Sequence, residues 1–393
     1  MRCFITDSLH AFVIALILVV IGVALRLSPH VIVLISLTLF SILVFGTGFP
    51  MVWLGAFNEN MLTVVLALAS SMYLAELFKS CKASDASIRA LESLSPKLAS
   101  TAIPALVGLL PMPGGAYVSA TLVDSIYSKG MLRAEAKTFI NFWFRHIWLT
   151  VWPLYQCVLI ASYTLGWSVN AIIVKNWPIF VASILSGVLV SWRLLPKYTC
   201  STQKRRVSDL VHLWPFASIA FLNIVLKLNV ALSAIITILL FTVLYRPRLA
   251  THVRALKYSL NPSILILIVS SLIYSHVLSE SGVAERIHSV LGLPELTCYL
   301  LPAIIVVAVG LEFTFSAIAL PVLKSFINDF TLFLVFLGGF TGCMLSPLHA
   351  CLVLSSQYFK AELRRVYKYT VPATLLAIAI SLAVAYPMYI HRH

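Results

Sequence analysis

Charged residues are scarce in this chain: they make up 11% of its 393 residues, against about 25% in an ordinary soluble domain. Acids are the scarcest, with 14 Asp and Glu against 28 Lys and Arg. There is no low-complexity segment and no stretch polar enough to form a soluble domain. No GxxxxGK[ST] phosphate loop occurs, which excludes ATP driving within the chain. HExxH, GxSxG and paired carboxylates are absent too, so the sequence predicts no catalytic residues and no enzyme. The seven cysteines are odd in number and form no CxxC; they read as small apolar residues or free thiols, with no disulfide framework and no metal site.

What fills the chain is hydrophobic: 60% of residues, with mean hydropathy +0.97. That composition predicts a polytopic all-α membrane protein. The net charge of +14 is then a topology signal, with the bilayer as partner and no nucleic acid. Arg2 and the apolar run 11–24 resemble a signal peptide, but no small-x-small cleavage site follows and a second run starts at Val31. The run is read as the first span. Stretches long enough to cross a bilayer fall near 10–27, 30–46, 60–78, 136–162 and 169–192, then near 211–227, 229–246, 262–279, 330–356 and 367–389.

Two further apolar stretches, near 100–127 and 299–325, are interrupted. The first contains Gly108 and Pro111-Met112-Pro113-Gly114-Gly115; the second contains Gly310, Glu312, Thr314 and Ser316. Each is followed by a segment broken at proline, Pro153 in 136–162 and Pro347 in 330–356. Reading both interrupted stretches as re-entrant hairpins places most Lys and Arg on the cytoplasmic side, with both termini outside. Each half then makes five crossings, so the halves (1–200 and 201–393) are inverted repeats. Faint internal matches agree: Ser70-Ser71 with Ser270-Ser271, Val107-Gly108-Leu109 with Val309-Gly310-Leu311, Pro153-Leu154 with Pro347-Leu348. Paired interruptions in two such halves point to a secondary transporter's substrate site.

The candidate substrate-binding residues follow from this. Two prolines and two glycines at 111–115 cannot continue a helix. Gly114, Gly115 and Pro113 would form a hairpin tip, and the helix restarting beyond it would present an anion-attracting N-terminus. Arg145, intramembrane between Trp143 and Trp148, needs a partner: a carboxylate substrate, or a fixed ion pair with Glu312. Asn141 shares its face one turn earlier, as substrate contact or as helix-bundle glue. His146, Ser346 and His349 sit at the two breaks, where a histidine is either functional or a packing residue. Thr314 and Ser316 could contact substrate or a cation. Glu312 is a proton-relay candidate, and carbonyls freed by Pro153 and Pro347 could coordinate a coupling cation.

Three segments carry a family resemblance: Gly108–Ala116, Asn141–Trp148 and Leu345–Leu354. With them the chain resembles an uncharacterised, largely archaeal family of membrane proteins of unknown function. That family is similar to the ion transporter superfamily of sodium–dicarboxylate, citrate, gluconate and arsenite permeases. The resemblance implies two inverted repeats, a homodimer, elevator-type motion and small anions as substrates. The sodium–dicarboxylate branch carries Ser-Asn-Thr at each hairpin tip, where this chain has Pro113-Gly114-Gly115 and Thr314-Phe315-Ser316. The expected function is a symporter of a small organic anion, coupled to Na+ or H+ and needing no other cofactor. The alternatives are a cation/proton antiporter working through Glu312 and, more remotely, an intramembrane enzyme.

Overall fold

A computed structural model describes residues 7–25, 27–81, 83–109, 115–196, 207–290 and 293–390. Regular structure among them is helical, with no strand. The first half holds α1 (Ser8–Ala24), α2 (Pro29–Phe45), α3 (Phe49–Gly55), α4 (Glu59–Ser80), α5 (Ala83–Leu94), α6 (Pro96–Gly108), α7 (Gly115–Lys129), α8 (Ala134–Arg145), α9 (Gln156–Leu165) and α10 (Val169–Ser191). The second holds α11 (Trp214–Ala220), α12 (Val230–Tyr245), α13 (Leu249–Ser259), α14 (Pro262–Glu280), α15 (Val283–Val290), α16 (Pro294–Val309), α17 (Leu320–Val322), α18 (Asp329–Leu345), α19 (Ala350–Phe359) and α20 (Leu363–Ile390).

Seven helical segments among the described residues are long and apolar enough to cross a membrane: Pro29–Gly55, Glu59–Ser80, Val169–Ser191, Ser208–Val225, Pro262–Glu280, Asp329–Phe359 and Leu363–Tyr389. Starts are set by local chemistry. Asn229, Asn261 and Asn328 cap α12, α14 and α18 with their side-chain carbonyls, and Pro29, Pro262 and Pro294 occupy first-turn positions that need no N–H donor. The segment 211–227, expected as a plain span, is irregular. A 3-10 turn over Val207–Leu213 gives way to α11 at Pro215, and a π-helical turn closes it at Phe221–Val225. The Asn223 amide donates to the Leu228 carbonyl at 2.8 Å, holding the chain where the helix ends.

Helices stop at the four interruptions. α6 ends at Gly108 and α7 begins at Gly115; α16 ends at Gly310; α8 and α9 are separated by turns over 146–155; α18 and α19 are separated by 346–349. Helices of 13 and 15 residues reach only about 20 Å each, short of a hydrocarbon core of about 30 Å. α6 and α7 pack on each other, and the Tyr127 hydroxyl donates to the Ser100 carbonyl at 2.8 Å.

The chain divides into two compact units that interleave in sequence. One comprises Met1–Leu66, Gln156–Lys175 and Leu260–Ser346; the other Ala67–Tyr155, Asn176–Ser259 and Pro347–His393. In the first, α16 and α18 make the closest helix pair. A Cβ at Gly338 would overlap the Tyr299 carbonyl, and one at Gly342 would lie 2.6 Å from the Ala303 carbonyl oxygen. Gly338 and Gly342 are thus a small-xxx-small seam that lets two backbones meet. α18 is buried along almost all of its length, whereas α20 is mostly open to its surroundings. In the second unit, Trp148 stacks on Phe180 with ring centres 4.9 Å apart, and the Trp143 indole donates to the Ser183 carbonyl at 2.8 Å, fixing α8 and the loop beyond it against α10.

Candidate functional site

The α6–α7 hairpin is held by one residue of α8. Glu135 stands in the first turn of α8, and the helix ends at Arg145, where the His146 N–H turns back to the Trp143 carbonyl. Pro153 is buried in the loop that follows, and its missing N–H favours turns over helix there. Arg145 is 6% exposed. Its backbone carbonyl packs on Gly108 so closely that a Cβ there would overlap it. Its guanidinium lies over Gly115, the first residue of α7, and a Cβ at that position would overlap Nη2. At Gly108 the obstruction is backbone and only glycine fits; at Gly115 it is the end of the Arg145 side chain.

Arg145 is a buried cation with an unmet donor. Nη1 has no hydrogen-bond partner among the described residues, and no acid of its own unit pairs with it among them. Tyr258 of α13 senses both Arg145 and Glu76 of α4. Burial first, and the Glu76 carboxylate second, push the Tyr258 phenol up to about 12, with Arg145 opposing, so the group stays a neutral hydroxyl. A central arginine costs about 2.5–3.5 kcal/mol on insertion scales.

One turn before Arg145, the Asn141 amide donates to the Ala116 carbonyl at 3.0 Å and to Ser355 Oγ at 2.8 Å, joining α7, α8 and α19. Asn141 Oδ1 and Ser356 Oγ have no partner among the described residues. His146 points to the other side. Its Nδ1 meets the Phe142 carbonyl at 2.7 Å and its Nε2 meets His349 Nε2 at 3.1 Å. Both rings are 1% exposed and both contact the Phe142 ring. Pro347, between Ser346 and His349, is exposed.

The other predicted residues belong to the other unit. Gly310 ends α16 with φ +75°, a left-handed cap that glycine adopts without strain, and its N–H bonds the Val306 carbonyl at 2.8 Å. Thr314 Oγ1 is turned onto the Leu311 carbonyl at 2.6 Å. Ser316 Oγ is buried with no partner among the described residues. Ser346 Oγ donates to the Val307 carbonyl at 2.9 Å and ties the end of α18 to α16. Glu312 is half-buried, within electrostatic reach of Cys157.

Arg145, Asn141, His146, His349 and Gly115 thus come together in one unit, and Glu312, Thr314, Ser316 and Ser346 fall in the other. Pro113 and Gly114 lie outside the described residues. Tyr258 and Ser355 went unnoticed in the sequence; no spacing connects them to Arg145 or Asn141, and only folding does. Glu76 was visible as a rare acid in an apolar run, with nothing to say what it stood near.

Residues 6–388 match the family described as Protein of unknown function (DUF401). No curated protein matches the chain.

Proposed function

The chain belongs to that family, which has no assigned activity, and from the site alone we propose that it is a secondary active transporter of a small organic anion, carboxylate-like in charge and shape. The observation that carries this reading is Arg145: buried, without an acid partner in its unit, and laid over the start of a 15-residue helix. A guanidinium fork binds two carboxylate oxygens at once, and a helix N-terminus adds partial positive charge and free N–H groups. A site for a resident structural anion would need neither the breaks nor the unmet donors around it.

The reading extends to architecture. We take the halves 1–200 and 201–393 as inverted repeats, with re-entrant hairpins at about 100–127 and 299–325 and both termini outside. In support, each half contains ten α-helices among the described residues, with interruptions in the same order, and each compact unit takes the interrupted stretch of one half and one arm of each broken segment. Alternating access of the elevator kind and a homodimer are part of the same proposal. Glu312 is its coupling carboxylate for H+, with Na+ as the other coupling ion.

Purified protein in proteoliposomes, screened with small carboxylates under imposed proton or sodium gradients, tests it. Wild type should accumulate at least one carboxylate. Arg145→Ala should lose uptake and ligand-induced thermal stabilisation while remaining monodisperse, and Arg145→Lys should keep the charge but not the two-point contact. Normal uptake by Arg145→Ala would remove the site.

A further inference from the structure

The turn between α7 and α8 carries a cavity that the anion site at Arg145 does not use. Its volume is about 390 Å3, within the range of small-ligand pockets. α7 ends at Lys129, the chain turns through Gly130, Met131 and Leu132, and α8 starts at Ala134. The chain leaving α10 forms a second wall with Arg193, Leu194 and Leu195, and α20 adds Tyr369. The turn is seated tightly against that wall, since a Cβ at Gly130 would lie 2.8 Å from Pro196 Cβ. All of these residues belong to one compact unit. Trp192, next to Arg193, is exposed and lies under Lys97 Nζ at 5.5 Å from its ring centre. An exposed indole beneath an ammonium is typical of the headgroup level of a bilayer.

Two arginines line this cavity, Arg133 and Arg193, and no acid does. The lysines nearby are already matched, Lys129 with Glu92 at 3.3 Å and Lys137 with Asp124 at 3.1 Å. Neither arginine's guanidinium has an ion pair or hydrogen bond among the described residues. Arg133 stands at the N-cap of α8, yet its side chain caps nothing, so first-turn N–H groups remain as further donors beside Ala136, which also lines the cavity. The Tyr369 ring leans on Phe139 with centres 5.8 Å apart, and its hydroxyl has no hydrogen-bond partner among the described residues. The rest of the lining is apolar. It includes Met131, 89% exposed and held at φ +52°, a backbone region methionine seldom adopts. Two guanidinium forks and a phenol suit the several oxygens of a phosphate, and the apolar lining suits an attached chain. We propose that this cavity binds the phosphate of an anionic membrane lipid, with Arg133 and Arg193 on its oxygens, Tyr369 as a third donor, and Met131 and Leu194 against the root of the acyl chains. Basic pockets between membrane helices take such headgroups. A soluble phosphate ester shares the head and lacks the chains. The site is independent of the transport reading, since it uses none of the Arg145 contacts.

The test uses the full-length protein in a neutral detergent, stripped of lipid and titrated with phosphatidylglycerol, with phosphatidylcholine of the same chain length, and with glycerol phosphate. Bound species are counted by native mass spectrometry. Wild type should retain phosphatidylglycerol more tightly than phosphatidylcholine, and an equal concentration of glycerol phosphate should not displace it. Arg133→Gln and Arg193→Gln should each weaken phosphatidylglycerol binding at least about fivefold and leave phosphatidylcholine unaffected, with lysine at either position recovering part of the loss. Arg248→Gln, at an exposed arginine between α12 and α13, should change neither lipid. Lipid-free melting curves should match wild type in all these variants. Equal affinity for the two lipids would overturn the proposal, as would full affinity in the double arginine variant. Displacement by glycerol phosphate would assign the cavity to a soluble phosphate ester and overturn the lipid assignment. Arg145→Ala should bind phosphatidylglycerol as wild type does, so a failed transport assay and a failed lipid titration are told apart.

Discussion

A single methyl group, added at either arm of the α6–α7 hairpin, should have two opposite consequences. At Gly108 the new Cβ would overlap the Arg145 carbonyl oxygen and lie 2.9 Å from its carbon and 3.2 Å from its Cα. All three are backbone atoms within the last turn of α8, so nothing there can swing aside. Gly108→Ala must separate α6 from α8, and overpacking of this kind costs about 1–3 kcal/mol or more. At Gly115 the obstructing atoms are Nη2, Cζ at 2.6 Å and Nη1 at 2.7 Å. These are the far end of a flexible side chain. Gly115→Ala should leave the fold intact and expel the guanidinium from its seat. A charge-assisted hydrogen bond is worth about 1.5–3 kcal/mol, so anion affinity should fall about 10- to 100-fold. Differential scanning fluorimetry and ligand titration on the same samples separate the two effects. Gly108→Ala should melt several degrees lower, and Gly115→Ala should melt as wild type but bind weakly. Unchanged affinity in Gly115→Ala would refute the placement of the anion at Arg145, and an unchanged melting curve in Gly108→Ala would refute the α6–α8 contact.

Gly338→Leu should disrupt the α16–α18 seam and lower expression and melting temperature more than Gly48→Ala, at a glycine of negative φ where an added Cβ meets nothing within 4 Å. Asn141→Leu removes the donor to the Ala116 carbonyl and Ser355 Oγ; the carbonyl keeps its bond from Ser119 Oγ, so the buried Ser355 hydroxyl is the acceptor that loses out, at about 1–3 kcal/mol. A melting shift reversed by Asn141→Gln but not by Asn141→Asp would mark the amide as the joint of α7, α8 and α19. At the start of α1, the Leu9 N–H bond first, then burial opposing and the Arg286 ion pair assisting, hold the Asp7 carboxyl below its ordinary value. A depressed carboxyl stabilises the fold above that value and loses its effect as pH falls through the folded-state pKa. Amide protection over residues 8–11, measured against the intrinsic exchange rate at each pH, should therefore fall in acid below about pH 4 in wild type, and at neutral pH in Asp7→Ala.

The spans could be read from sequence because lipid demands long apolar runs, and most predicted boundaries fall within a few residues of the helices observed. The interruptions were legible for a similar reason: glycine, proline and a rare acid in an apolar run have few structural uses. The break at Pro153 begins earlier than proline alone suggests, at His146, because Arg145 is fixed on both hairpin arms and the chain must turn away beyond it. The short helices α3, α5, α13 and α15 were missed, since connectors of this length carry too little periodicity to separate from loops. The Gly338–Gly342 spacing was in plain view but ambiguous, as glycines at that interval also occur by chance in apolar runs. The His146–His349 contact spans 203 residues and could not be read from either neighbourhood.

The helices Asp329–Leu345 and Leu363–Ile390 are both strongly apolar, yet protein covers most of one and little of the other. Selection acts on them differently. Along Leu363–Tyr389 a leucine can drift to isoleucine, valine or phenylalanine because fluid acyl chains conform to any shape. Along Asp329–Leu345 nearly every such swap meets a packed neighbour, so drift there must proceed by compensated pairs. A saturation library scored for growth or yield should show one tolerant, greasy stripe and one nearly frozen rod.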